Sequence, residues 1–374
     1  MSSSRRVLLT TTLAAALAVP FAGAAAAAPA TRAPGATRQA ASGYHVVRTL
    51  SSAFLAPLQF TVNHGAVYVA DSGSSTLTRL GRSTPVAVGP RSGEIAGVTL
   101  NRAGDALAYT TTDYWTGATT LTARQPGGRT VRTSMSGYEA AHNPDGRVTY
   151  GVDEPSACVR KAFADLPDDV PARYQGIVES HPYSVASLGK LSWVVADAAG
   201  NDLVKVSRTG TPSLLTVLPR RPLKITAARA KALGLPACAV GVTYNFESVP
   251  TDVEIGPGGY LYVSTLPGGP EDPRLGAHGS VYKVNPVSGK TTRLATGFAG
   301  ATNLAVTATG QVFVAELFAG RISTISQGRP KPVMDLPGVA GLERSAGVLY
   351  ASTIGLADEH GKVVVPGRVL QLGR

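Results

Sequence analysis

The 374-residue chain is 44% hydrophobic and 16% charged, with 42 glycines and 26 prolines, so it can bury a large core but disfavours long helices. Its formal charge of +11 comes without Lys-Arg runs or basic residues interleaved with aromatic ones, which argues against nucleic acid as a partner. We therefore predict an all-β protein.

Residues 1–30 are predicted to be an export signal. They have a basic start at Arg5 and Arg6, an apolar middle and an Ala-rich end. The alternative is an uncleaved membrane anchor, which Pro20 and the small-residue end disfavour. Both the twin-arginine and the general secretory route remain open.

Residues 31–43 are predicted to be a flexible leader, and residues 44–374 to be the folded, secreted domain. Four arginines precede the domain: Arg5, Arg6, Arg32 and Arg38. Without them the formal charge is +7. Such a surface would attract anionic envelope polymers only weakly.

A unit of strand, Gly-bearing turn and strand, as in "VPTDVEIGPGGYLYVST", recurs along the domain. The seven turn glycines are Gly65, Gly104, Gly146, Gly189, Gly259, Gly310 and Gly347. They are spaced 39, 42, 43, 70, 51 and 37 residues apart, which is the period of a propeller blade.

Most units contain two further strands, and the second strand is apolar at nearly every position, as in a sheet covered on both faces. The last unit has only three clear strands, so we expect the orphan strand at residues 44–50 to complete it. We predict a β-propeller of six or seven four-stranded blades. The number stays open because the unit at residues 138–152 is degenerate.

Two insertions, at residues 153–172 and 219–247, contain Cys158 and Cys238. An even pair of cysteines in an exported chain predicts a disulfide, and the alternative is two unrelated thiols. Loops after the second and fourth strands of a blade emerge on one face. The disulfide would therefore tie two loops over one mouth of the channel.

The same face receives the long loops at residues 265–279 and 353–367, whereas the opposite face has tight turns. Elaborated loops on a rigid scaffold commonly carry function.

Several segments resemble the ScyD/ScyE family of exported β-propellers. They include "YQGIVESHPYSVAS", "LGLPACAVGVTYNFESVPTDVEIGP" and "LYVSTLPGGPEDPRLGAHGSVYKV". The resemblance runs from about residue 137 to 326. It implies a secreted or periplasmic propeller, related to NHL-type and gluconolactonase-type propellers, and it transfers no catalytic residue.

Glu139, Asp252 and Asn303 stand seven residues before their turn glycines, where inner strands would begin near the mouth. Gluconolactonase-type propellers hold a divalent cation with such side chains, so these residues are candidate ligands of Ca²⁺ or Mg²⁺. Alternatively, they cap strand ends or bind channel water.

A second group of carboxylates ends the second strands: Asp71, Asp153, Asp197 and Glu316. We expect Asp197, Glu316 and the junction residue Glu247 to contact a ligand, although strand-end carboxylates often only start turns. Tyr114 and Trp115 lie on a mouth-side loop and could stack on a ligand or pack against a neighbouring loop.

His181, in "ESHPYSVAS", is the candidate general base, with Glu179 and Glu247 near equivalent junctions. A histidine before proline is equally compatible with a hydrogen-bonded loop residue. No G-x-S-x-G, H-E-x-x-H or Walker motif occurs.

We therefore predict a monomeric, extracytoplasmic binding module that is not integral to a membrane. Its partner would be a protein, glycan or small molecule. The rival prediction is a metal-assisted lactonase or related hydrolase at the channel mouth.

Overall fold

The computed structural model describes residues 43–166, 170–269, 275–358 and 363–374. The predicted export signal lies outside these ranges, as does the leader up to residue 42. No helix within them is long and apolar enough to span a membrane.

Six four-stranded antiparallel sheets have the strand order of propeller blades, from the inner to the outer strand. Strand β1 (His45–Phe54) belongs to the last of them. Blades 1 and 2 are β2 (Gln59–Asn63), β3 (Ala66–Asp71), β4 (Thr76–Arg79) and β5 (Ala87–Val88), then β6 (Gly93–Leu100), β7 (Leu107–Asp113), β8 (Thr119–Arg124) and β9 (Thr130–Ser134). Blades 3 and 4 are β12 (Pro182–Leu188), β13 (Ser192–Asp197), β14 (Asp202–Val206) and β15 (Pro212–Val217), then β18 (Ser248–Ile255), β19 (Leu261–Pro267), β20 (Gly279–Val284) and β21 (Thr291–Phe298).

Blades 5 and 6 complete the set. They are β22 (Ala301–Val306), β23 (Val312–Glu316), β24 (Arg321–Ser326) and β25 (Arg329–Asp335), then β26 (Val339–Ser345), β27 (Val348–Thr353), β30 (Gly367–Gly373) and β1. A short hairpin, β28 (Leu356–Ala357) and β29 (Val363–Val365), extends from the loop between β27 and β30.

The six blades form a closed ring. Their inner strands contact one another in the circular order β2, β6, β12, β18, β22, β26 and back to β2. A cluster of buried apolar side chains fills each of the six blade interfaces. Between blades 2 and 3, for example, Leu121 packs in one cluster with the fully buried Trp193. The propeller therefore has six blades, within the predicted range.

The N-terminal strand closes the ring as predicted. β1 pairs antiparallel with β30, with Thr49 opposite Leu370, and becomes the outer strand of blade 6. Because β1 and β30 come from opposite ends of the described domain and pair in one sheet, neither leaves an unpaired edge inside blade 6, and opening the ring would break their ladder of hydrogen bonds.

The predicted third repeat is wrong, because residues 138–152 do not form a blade hairpin. They begin inside a helix, α1 (Met135–His142), whose N-cap Ser134 accepts a hydrogen bond from the Gly137 amide. The other six turn glycines have positive φ, but Gly146 does not. The segment is instead part of a long insertion between blades 2 and 3.

We call residues 135–176 and 221–246 the cap. After α1, the cap contains β10 (Thr149–Gly151), α2 (Ala157–Ala164), β11 (Arg173–Gln175), β16 (Arg221–Lys224), α3 (Ala227–Leu233) and β17 (Thr243–Phe246). Its strands form a seventh sheet in the order β11-β10-β17-β16, which interleaves the two insertions. The cap has its own apolar core, in which Phe163 stacks on Tyr244 with ring centroids 5.2 Å apart.

The predicted disulfide joins the two halves of the cap. Cys158 lies in α2 and Cys238 in a short turn of 3-10 helix, 80 residues apart, and both are exposed. Each half connects the outer strand of one blade to the inner strand of the next. Both halves therefore emerge on the face that also carries the loops after the second strands, which we call the mouth face.

Beneath this face, apolar side chains from five blades pack in one cluster. They are Leu58, Ala96, Tyr183, Val249 and Ala340, together with Ala198 from a turn in blade 3. The inner strands are therefore joined near the mouth by apolar contacts as well as by hydrogen bonds.

Candidate functional site

A buried ion pair lies at the mouth between blades 2 and 3. His181, just before β12, forms a hydrogen bond through Nε2 to Glu94 Oε1 at the start of β6. Their side chains are 8% and 5% exposed. Tyr114, from the loop after β7, hydrogen-bonds Glu94 and places its ring centroid 6.2 Å from that of His181.

Burial and pairing act in opposite directions on these groups. Burial lowers the pKa of His181, but the charge of Glu94 and the hydrogen bond with it outweigh burial and raise that pKa. Burial likewise raises the pKa of Glu94, and the His181 charge and hydrogen bond bring it below its ordinary value. Both shifts favour the imidazolium–carboxylate form of the pair, in which His181 has a proton to donate.

Asp197 holds His181 in place through the backbone. Its Oδ1 accepts the His181 amide at 2.6 Å, and its Oδ2 accepts the Ser180 hydroxyl at 2.6 Å. Asp71 accepts the Ala56 amide at 2.6 Å before β2, in the same way.

Glu316 accepts the Ala299 amide at 2.8 Å before β22, and it also pairs with Arg321. Strand-end carboxylates thus fasten the chain entering their own blade. Asp153 lies in the cap instead, where it pairs with Arg220 at 2.5 Å.

The three predicted metal ligands do not lie together. Asp252 accepts the Ser184 hydroxyl at 2.7 Å and the Leu304 amide at 3.0 Å. Asn303 accepts the Leu342 amide at 2.7 Å and donates to Gln59 Oε1 at 2.9 Å. Asp252 and Asn303 therefore link neighbouring blades.

Below this layer, two carboxyl groups that the sequence did not single out share a hydrogen bond. Glu254 on β18 and Glu343 on β26 meet in the channel, where burial and then neighbouring carboxylates raise both pKa values, that of Glu343 to about 8. The same burial raises the pKa of Asp252 to about 6. One proton shared between two carboxyls explains how this pair tolerates burial.

Glu139 lies in α1, at the seam between the cap and blade 3. Around it are Asp145 from the cap, and Asp197 and Asp202 from the two ends of the β13–β14 turn. We call these four carboxyls the seam cluster. All are at most 3% exposed.

The seam cluster is electrostatically unfavourable as it stands. Burial, followed by Asp197 and Asp145, raises the pKa of Glu139 to about 8. Burial and the other three carboxyls raise that of Asp202 well above its ordinary value. The pKa values of Asp145 and Asp197 are raised mainly by burial. No Lys or Arg of the described ranges forms an ion pair with any of the four carboxyls.

Several oxygens of the seam lack a hydrogen-bond donor among the described residues. They are Glu139 Oε1, Asp145 Oδ1, both carboxylate oxygens of Asp202, and Oδ1 of the neighbouring Asn201. In this part of the chain no three His, Cys, Asp or Glu side chains are gathered as a preformed metal site. The seam is thus rich in acceptors that are not yet arranged around one point.

Glu247 lies beside the seam cluster rather than in it. It hydrogen-bonds Tyr174 and Asn201, and burial raises its pKa to about 7. Asn201 also donates to Asp145 Oδ2 at 2.9 Å. The predicted ligand residue Glu247 therefore belongs to a hydrogen-bonded network under the cap.

Most exposed large hydrophobic residues lie on the mouth face. Of fifteen exposed large hydrophobic residues in the described ranges, ten lie on mouth-side connections: Tyr114, Trp115, Ile177, Val178, Val240, Phe318, Leu356, Val363, Val364 and Val365. The other five lie on outer strands or, for Val287, on an opposite-face turn. Trp115 is 87% exposed, so it does not pack against a neighbouring loop.

Sequence reasoning missed Glu94, Asp145 and Asp202. The equivalence of Glu94 and His181, each three residues before a position where its inner strand bulges (Gly97 and Ser184), is visible only in the strand pairing. Asp145 and Asp202 had no signal in the sequence either, since the misassigned third repeat concealed the cap.

No protein-family model and no curated protein matches the chain. Among solved structures it is similar to virginiamycin B lyase from Staphylococcus aureus (11% identity over 88% of this chain and 99% of that chain, TM-score 0.44). It is also similar to a gluconolactonase from Xanthomonas campestris (14% identity over 87% of this chain and 90% of that chain, TM-score 0.42). A third similar structure is the calcium-binding protein regucalcin from Agrobacterium tumefaciens (14% identity over 72% of this chain and 72% of that chain, TM-score 0.39). At these values the likeness carries no inference about activity.

Proposed function

We propose that the protein is an extracytoplasmic binding propeller whose mouth face holds a ligand with an apolar or aromatic body. The observation that carries this proposal is the concentration of exposed hydrophobic side chains on mouth-side connections. Clusters of such residues with polar groups beside them mark binding surfaces in soluble proteins. The resemblance to ScyD/ScyE propellers and the predicted export signal support an extracytoplasmic location.

Two aromatic residues are the natural anchors for such a ligand. Tyr114 is half-exposed, and its hydroxyl is held by Glu94, so its ring has a fixed direction. Trp115 stands next to it, and its amide is held by Asp113 Oδ1 at 3.0 Å. An anchor that is already ordered loses little conformational entropy when a ligand stacks on it.

The test is a titration with N-phenyl-1-naphthylamine, a neutral apolar probe that fluoresces when shielded from water. We expect saturable binding that weakens by roughly tenfold or more in Tyr114→Ala and Trp115→Ala variants, as for aromatic anchors. Val287→Ala is the matched control, because Val287 is 85% exposed on the opposite face. Equal weakening in all three variants, or in none, would refute a mouth site.

A second candidate is hydrolysis of a lactone or ester at the same mouth, which the His181–Glu94 pair favours. A protonated His181 could donate its proton to the alkoxide as the acyl C–O bond breaks, and the water that forms the new bond to the carbonyl carbon would return a proton to His181. Asp252 and Asn303 each accept a hydrogen bond from the next blade, and any Ca²⁺ or Mg²⁺ held there would share these oxygens with those donors.

A lactone panel assayed with the wild-type protein and with His181→Asn and Glu94→Gln variants tests this candidate. Hydrolysis that falls by about 10² or more in both variants would support it. Hydrolysis that is absent, or unchanged in His181→Asn, would eliminate acid catalysis by this residue.

A further inference from the structure

We infer that the seam cluster binds a Ca²⁺ ion, which fastens the cap to blade 3. This inference is independent of the ligand proposed for the rim. It concerns side chains from two parts of the chain: Glu139 and Asp145 of the cap, and Asp197 and Asp202 of blade 3.

The seam cluster concentrates acidic groups. Four carboxyl groups lie close enough to affect one another, and all are at most 3% exposed. No Lys or Arg among the described residues forms an ion pair with them, and His181, which acts on Asp197, is already paired with Glu94. A bound divalent cation would supply the missing countercharge.

Several buried oxygens of the seam cluster have no hydrogen-bond donor in the described part of the chain. Both carboxylate oxygens of Asp202, which is 1% exposed, lack a hydrogen-bond donor among the described residues, as does Glu139 Oε1. Buried acceptors are almost always satisfied, so a group of them implies a partner that is not a protein donor. Asn201 Oδ1 and Asp145 Oδ1 add two more acceptors to the same place.

Space beside Gly200 separates oxygens of the blade and of the cap. A Cβ on Gly200 would lie 3.5 Å from both Asp202 Oδ1 and Glu139 Oε2, so oxygens from blade and cap flank one point. Gly200 does not have positive φ, so its backbone does not require glycine. At Gly176, by contrast, a Cβ would lie 1.9 Å from Asp145 Oδ1, so that carboxylate already fills the place. The space beside the unsatisfied carboxylates is therefore at Gly200.

The donor set selects the ion. All the unsatisfied atoms are carboxylate or amide oxygens, which suit a hard cation rather than Zn²⁺. Ca²⁺ accepts six to eight oxygens in irregular geometry, whereas Mg²⁺ demands a near-ideal octahedron. Since the oxygens are not yet gathered, binding requires the Glu139 and Asp202 side chains to turn toward the space beside Gly200, which favours the more tolerant ion.

The experiment is a calorimetric titration of the EDTA-treated, oxidised protein with CaCl₂, repeated with MgCl₂, alongside thermal melts. We expect one Ca²⁺ per chain, a saturable rise in Tm, and weaker Mg²⁺ binding. Asp202→Asn keeps the shape of the side chain but removes its charge. It should bind Ca²⁺ at least roughly tenfold more weakly, while melting at or above the wild-type Tm without Ca²⁺.

Two further variants keep the test decisive. Glu139→Gln repeats the change from the cap side, should Asp202→Asn fail to fold. Asp165→Asn is the matched control, because Asp165 is an exposed carboxylate elsewhere on the cap, and it should leave the Ca²⁺ response unchanged. Absence of Ca²⁺ binding at millimolar concentration, or equal binding by wild type and both seam variants, would overturn the inference and leave protons as what neutralises the seam.

Discussion

Removing the disulfide should destabilise the protein by an amount that the chain connectivity sets. The change is Cys158→Ser with Cys238→Ser, and both side chains are exposed, so the substitutions remove no core packing. The cross-link closes a loop of 80 residues. In the chain-entropy account, a loop of this length contributes about 4.5 kcal/mol against global unfolding.

The disulfide contributes a similar free energy against opening of the cap alone. If blade 3 stays folded, the flexible segments between the cysteines are residues 159–181 and 218–237, about 43 residues, and the cross-link contributes about 4 kcal/mol. Because the two figures differ so little, the disulfide stabilises the cap whether it opens alone or with the propeller.

The assay is urea unfolding of the double variant, followed by ellipticity, with hydrogen exchange of α2 and α3 reporting on the cap. We expect a loss of roughly 3 to 5 kcal/mol in whichever transition includes the cap. Dithiothreitol should bring the wild type to the level of the variant and leave the variant unchanged. A loss below about 1 kcal/mol would show that the apolar core of the cap suffices and would refute this reasoning.

Three further predictions concern other parts of the propeller. Trp193→Ala should cost about 3 to 5 kcal/mol in urea unfolding because the ring is fully buried, whereas Trp115→Ala should stay within about 0.5 kcal/mol. Glu94→Gln should lower the pKa of His181, measured by NMR titration. Because pairing raises the folded-state pKa of His181, the stabilisation by the pair is present below the ordinary histidine pKa and is lost as pH rises through the raised pKa. The difference in the free energy of unfolding between wild type and Glu94→Gln should therefore narrow from pH 6 to pH 9. The pKa of Glu139 is raised to about 8 in the folded state, so without divalent cations the free energy of unfolding should fall as pH rises from about 5 to 8. Glu139→Gln should flatten that fall, and an identical dependence of stability on pH in the variant would contradict the prediction.

The sequence was sufficient to predict a propeller, though not the number of its blades, because each blade repeats local rules. A strand, a glycine with positive φ and an apolar second strand recur, and six of the seven predicted turn glycines have that φ. The closing role of β1 followed from counting strands. The disulfide followed from compartment and loop placement.

The candidate site was less predictable because it depends on contacts between distant segments. The segment around Gly146 matched the repeat in letters, yet Ser134 caps a helix there, and the error placed Glu139 on an inner strand. Asp252 lies on an inner strand as predicted, but its hydrogen bond with the Leu304 amide of the next blade was not foreseen. Local patterns do not reveal which backbone amides a neighbouring blade leaves to be satisfied.

The central claim is that the rim around Trp115 is where the ligand binds. Trp115 is 87% exposed and Trp193 is fully buried, so acrylamide quenching of the accessible tryptophan emission reports on Trp115. We predict that saturating N-phenyl-1-naphthylamine will reduce this quenching in the wild-type protein, and that Tyr114→Ala, which keeps the Trp115 reporter, will require more probe to reach the same effect. Binding of the probe that leaves the quenching of Trp115 unchanged would place the ligand elsewhere and contradict the account.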